Sequence, residues 1–147
     1  MNESIFDQGR FALEVILTDE AKGFPLALEM MKERGCWLNV RHLLCRWHVY
    51  EAIKRYCGKF FKRHYEKGRQ QAAMNRFIEA FKNVICAPNE IQMRALWKSM
   101  VENGGFPLEA VEHVRKSYYD HPKARKIMEC YVFNCGNLHQ TSTSRNE

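Results

Sequence analysis

At Arg46 the hydrophobic pattern of this chain changes period, and that change restricts its fold more than any other feature. Before it lie two short apolar stretches. Residues 11–17 read FALEVIL and stop at Thr18-Asp19, which predicts a buried strand ending in a carboxylate. A second strand is expected within residues 37–44. Between them Pro25 suits a first helical turn, Gly35 a C-terminal cap, and Leu26, Leu28, Met30 and Met31 the apolar side of a short helix. Strand, helix, strand in that order predicts two neighbouring parallel strands. After Arg46 the apolar residues recur at helical spacing over residues 46–67, 70–86, 90–102, 107–119 and 122–133. The breaks fall at Gly68, Pro88, Gly104-Gly105 and His121-Pro122. The expected fold class is therefore α/β, a piece of α/β core followed by a mostly helical block.

The positive charge is concentrated. Residues 1–50 hold six Lys/Arg against seven Asp/Glu, residues 51–70 seven against two, and residues 71–147 ten against eight, within a net charge of +6. On a helical wheel Val49, Ile53, Tyr56 and Phe60 fall on one stripe. Arg55, Lys59, Lys62 and Arg63 fall within a separate arc of about 100°. The arc reads either as a solvated helix surface or as a phosphate-contacting face, and the interleaved Tyr56, Phe60, Phe61 and Tyr65 suit the second. No apolar run approaches the ~18 residues of a membrane span, so no membrane partner is expected. The N-terminus lacks the layout of a signal peptide, which makes the chain intracellular by default. The six cysteines, Cys36, Cys45, Cys57, Cys86, Cys130 and Cys135, then read as thiols rather than disulfides.

Three groups could carry chemistry. Asp19 stands where a strand ends, the place at which α/β sheets gather ligands, although a helix-capping or turn-forming Asp fits the same position. Cys45 and His48 form a C-x-x-H pair at the start of a helix. With Cys130, Cys135 and His139 they could make a small zinc module, a lesser alternative to packing and hydrogen bonding at the base of the helical block. Ser144 to Glu147 is S-x-x-E, a helix capping box that also brings a carboxylate to a helix start. With Asp19, Glu147 would supply a second acidic ligand for hard divalent cations if folding joins the chain ends.

The stretch Val15-Ile16-Leu17-Thr18-Asp19, then Ala27, then Leu43-Leu44-Cys45-Arg46-Trp47-His48-Val49, resembles the catalytic domain of Mutator-like element transposases. Phe133, Gly136-Asn137 and Thr143-Ser144-Arg145-Asn146-Glu147 resemble that family's closing stretch. The resemblance implies an RNase H-like fold with a D-D-E triad and a helical insertion before the Glu. It implies a partial core over residues 1–45, the insertion over 46–140 and the start of the last core helix at 141–147. Asp19 matches the second acidic position and Glu147 the third, both as Mg²⁺ (or Mn²⁺) ligands, while Cys45 and His48 match a structural signature. The implied partner is DNA, as terminal repeats and target, in the nucleus, with a homo-oligomer as a further option. Two metal ions would activate a water or a DNA 3′-hydroxyl for attack on a phosphodiester.

The departures set further expectations. The family's first Asp lies on an earlier strand, Asp7 is too close to Asp19 to be it, and Asn146 stands where the family has a small apolar residue. The zinc-finger-type DNA-binding region usual upstream and the core helix beyond Glu147 are also missing. This chain alone is therefore expected to show little or no catalysis. A non-catalytic, domesticated DNA-binding or transcription-regulatory derivative is the alternative function. A truncated sheet is also expected to leave an edge strand and an apolar face uncovered.

Overall fold

The computed structural model describes residues 15–132. Among these residues the fold is mostly helical, with one small parallel sheet. Strand β1 (Val15–Thr18) and strand β2 (Arg41–Leu44) run side by side with Val15 opposite Arg41 and Thr18 opposite Leu44. The N–H of Cys45 donates to the Thr18 carbonyl at 2.7 Å and carries the ladder one residue further. Of the strand expected over 11–17, residues 15–17 are strand, and residues 11–14 lie outside the described residues.

Helix α1 (Gly23–Glu33) makes the crossover and takes Pro25 in its first turn. It closes with a Schellman motif: Cys36 N–H donates to the Met31 carbonyl and Gly35 N–H to the Lys32 carbonyl, both at 2.9 Å. That motif needs a left-handed residue after the C-cap, and Gly35 supplies it with φ +79°.

The helical block comprises α2 (Arg46–His64), α3 (Gln70–Ile85), α4 (Glu90–Asn103), α5 (Leu108–Val114), a π-helical turn (Arg115–Tyr119), α6 (Ala124–Ile127) and α7 (Glu129–Val132). Helix α4 starts where Asn89 Oδ1 accepts the Gln92 N–H at 2.8 Å. Helices α2, α3, α4 and α5 pack around Ile53, Phe61, Phe77, Phe81, Val84 and Ile85, all at most 1% exposed. Each such side chain contributes roughly 1.5–3 kcal/mol on leaving water.

Three expectations are corrected by the structure. The helix expected over 46–67 ends at His64. Its apolar stripe is turned, so that Cys57 and Phe61 face the core while Tyr56 is about half exposed. The helix expected over 107–119 widens to π geometry at Arg115, where Asp120 N–H reaches the Arg115 carbonyl at 2.7 Å. The helix expected over 122–133 breaks at Met128, whose ψ of 128° is extended.

The end of the described chain returns to the sheet. Val132 and Leu43 are buried together, with Val15, Leu17 and Tyr131 packed against them. Leu26 of α1 and Leu38 of the turn after it are 66% and 63% exposed among the described residues.

Candidate functional site

Past the end of β1 the chain opens a cleft of about 360 Å³ lined by Asp19, Glu20, Ala21, Trp47, His48, Glu51, Ala52 and Arg55. The expected strand-end carboxylate, Asp19, and one member of the C-x-x-H pair, His48, therefore share a cleft with Arg55, the first of the four cations singled out on α2. Asp19 is exposed, and its Oδ1 accepts the Ala21 N–H at 3.0 Å, the bond of an Asx turn.

Its neighbour Glu20 is the more committed carboxylate. At the bend after β1 Glu20 reaches the helical block. There the Tyr118 hydroxyl donates to Glu20 Oε1, and Lys123 Nζ lies 2.6 Å from Glu20 Oε2. Burial, and then the bond to the Glu20 carboxylate, push the Tyr118 phenol well above its ordinary range, so it stays a donor.

Cys45 is 1% exposed and is the N-cap residue of α2. His48 is half-buried, its ring edge-on to Trp47 with centroids 4.9 Å apart. His48 Nδ1 is buried and without a hydrogen-bond partner among the described residues. The Cys130 thiol donates to Met93 Sδ at 3.6 Å, while Cys135, His139 and Glu147 lie outside the described residues. Among the described residues no group of three or more His, Cys, Asp or Glu side chains could hold a metal ion.

The four basic residues singled out on α2 are all exposed. Arg63 lies 3.6 Å from Glu109, which also takes His64 at 3.2 Å, so its charge is partly answered. Arg55, Lys59 and Lys62 have no acidic partner within ion-pair distance among the described residues. Lys59 sits over two rings at once, 4.3 Å from the Tyr56 centroid and 5.0 Å from that of Phe60. Tyr56 stacks on His113 of α5 at 3.9 Å and 16°. The exposed face of α2 is thus a row of cations set among flat rings. Desolvation, then the charge of Lys59, hold His113 below the usual histidine range, with Glu20 opposing, so the stacked ring is neutral at pH 7.

Sequence reading missed Arg46, Glu20 and His113. Arg46 is 6% exposed; its Nε donates to the Ile127 carbonyl at 3.0 Å and its Nη2 to Glu129 Oε2 at 2.7 Å. Only the tertiary fold brings these partners together, across some eighty residues of chain. Glu20 carried a weak signal as the second acid of a strand-ending T-D-E. His113 carried none.

Against family models, curated proteins and solved structures the chain finds no match.

Proposed function

We infer that this chain is the DNA-binding portion of a Mutator-like transposase catalytic domain. Its two parallel strands would belong to an RNase H-like core, and α2 and the helices after it to the insertion. The observation that supports it most is the exposed face of α2, where Arg55, Lys59 and Lys62 lack acidic partners among the described residues and Tyr56 and His113 form a stacked platform. Cations at that spacing attract a phosphate backbone without reading sequence. The cleft holding Asp19 meets the same helix through Trp47, His48 and Arg55, which suits a backbone led toward the strand end.

In an intact enzyme Mg²⁺ or Mn²⁺ would fall to Asp19, Glu147 and a carboxylate from an earlier strand. Among the described residues Asp19 offers one carboxylate, with Oδ1 already held by the Ala21 N–H, while Glu20 is tied to Tyr118 and Lys123. These residues alone do not fit a metal pair, and the activity assigned to them is binding. The Asx turn at Asp19 is equally what a non-catalytic, DNA-binding derivative would keep. Both readings place the protein in the nucleus with DNA as its partner, and a homo-oligomer is compatible with either.

The test is fluorescence anisotropy with a 20-base-pair duplex over a salt series, comparing wild type with R55Q/K59Q/K62Q. Removing three phosphate contacts should reduce the slope of log K against log salt by about 2.7, at roughly 0.9 per contact. The loss should be the same for an unrelated duplex. An unchanged affinity would overturn the assignment.

A further inference from the structure

A second cleft lies at the opposite end of the sheet, where β2 begins. It measures about 290 Å³ and is lined by α1, the start of β2 and α6. Its lining brings together Lys32, Arg41, Arg125 and Lys126 with a single carboxylate, that of the exposed Glu29. None of the four cations lies within ion-pair distance of an acidic side chain among the described residues. Buried Leu28 and Val40 complete the lining and exclude water from that side, which strengthens the field of the charges.

Three of the four cations are also held in place. Arg41 Nη2 donates to the Tyr131 carbonyl at 3.3 Å, and the Arg125 guanidinium lies 4.9 Å from the centroid of the same tyrosine's ring. Lys126 Nζ donates to His42 Nδ1 at 3.2 Å. An ammonium only donates, so His42 must present its proton on Nε2, toward Thr18 Oγ1 at 2.6 Å. The Thr18 hydroxyl in turn donates to the Asp19 carbonyl at 2.8 Å. Lys126 keeps two further N–H groups for a ligand. Four like charges gathered with one exposed carboxylate, and with no ion pair among the described residues, cost stability, and a multiply charged anion with several acceptor oxygens answers all four together.

We propose that the cleft formed by Lys32, Arg41, Arg125 and Lys126 is a phosphate-binding site. The group it takes is a phosphate or phosphodiester, from either a nucleic-acid backbone or a small free polyphosphate. The two guanidiniums offer forked donors to its oxygens, and the two ammoniums add point charge. The site is separate from the exposed face of α2 and does not depend on the function inferred for that face.

The test uses the full chain with two probes, inorganic pyrophosphate by titration calorimetry and a 20-base-pair duplex by anisotropy. The variant is K32Q/R125Q, since neither side chain bonds to another residue through a hydrogen bond or ion pair among the described residues. The charge-matched control K67Q/K98Q removes two exposed lysines from outside the cleft. K32Q/R125Q should weaken at least one probe tenfold or more, while the control changes it less than twofold. Loss for the duplex, with a salt slope lower by about 1.8, identifies a nucleic-acid backbone. Loss for pyrophosphate alone identifies a small polyphosphate. If wild type binds neither probe, or if the cleft variant and the control behave alike, the site is refuted. A duplex affinity that depends on Arg55, Lys59 and Lys62, with neither probe weakened by K32Q/R125Q, would retain the α2 interface and remove this one.

Discussion

Arg46→Ala is expected to cost more stability than any other single charge removal among the described residues. Arg46 is the one charged residue among them that is buried, and it answers both the Ile127 carbonyl and the Glu129 carboxylate. Breaking a buried ion pair by removing one partner costs about 3–5 kcal/mol, because the other charge is left without an answer. The Glu129 side chain is 16% exposed and recovers some water, which places the loss near the low end, about 3 kcal/mol. Arg46 also opens α2, where a cation opposes the helix dipole, so its removal returns about 0.5 kcal/mol. The net loss of about 2.5 kcal/mol corresponds to a fall in Tm of roughly 5–10 °C for a chain of this length. Urea melts of R46A, E129A and the double variant form a cycle that should show a coupling of about 1.5 kcal/mol. A loss under about 1 kcal/mol for R46A, or a cycle additive within about 0.3 kcal/mol, would refute the argument by showing a solvent-screened pair.

Three other outcomes follow from the structure. Desolvation, then the charges of Lys126 and Lys32, hold His42 below its ordinary value, so the folded state favours the neutral ring. The stability this contributes is present above the unfolded value, about 6.5, and is lost as pH falls through it toward the lower folded value. Urea midpoints should therefore drop between pH 7 and pH 5, and His42→Gln should flatten that drop, leaving the part due to His113; an unchanged slope would exclude His42. Burial pushes the Cys57 thiol up to about 12. Iodoacetamide followed by mass spectrometry should accordingly mark the exposed Cys36 and Cys86 in the native protein and Cys57 only after unfolding, and native labelling at Cys57 would contradict the packing of α2. Gly104 has no room for a Cβ, which would run into the Phe106 ring and the Met100 carbonyl, so Gly104→Ala should lower stability by about 1–3 kcal/mol in the same melts, and a neutral result would show that this corner is loose.

The strand–helix–strand order and the breaks between helices around Gly68, Pro88 and Gly104 were legible in the sequence because each depends on local residues: a β-branched apolar run, or a glycine or proline between two helices. The break at Met128 was not legible. Residues 124–132 contain no glycine or proline. What interrupts them is distant, since Arg46 Nε takes the Ile127 carbonyl that a continuous helix would offer to the Tyr131 N–H. Tyr131 N–H turns to the Met128 carbonyl instead. The orientation of Tyr56 was hidden for a similar reason. A helical wheel places it near the apolar stripe, but the ring that covers it, His113, comes from α5. Of the residues the pattern named, Asp19, His48 and Arg55 line one cleft. The pattern could not show that Glu20 is the tied carboxylate or that a second cluster of cations gathers at the far end of the sheet.

The polar ties share one direction. Glu20 bonds to Tyr118 and Lys123, His42 to Lys126, and Arg46 to Ile127 and Glu129. In each, a residue at or beside the two strands is held by residues 118–129. Two four-residue strands have too little shared surface to stand alone. The segment from the π-helical turn to α7 therefore acts as a clasp that fixes the strand pair against α2. That clasp keeps the strand-end cleft beside the basic face of α2, because Glu20, from the cleft wall, is anchored to Tyr118 while Arg46, at the root of α2, is anchored to Glu129. It also supplies Arg125 and Lys126 to the second cleft. Loosening the clasp through Arg46 should therefore weaken anion binding at the second cleft more than binding on α2, whose cations are carried by a helix that the Phe61, Phe77 and Phe81 core continues to hold.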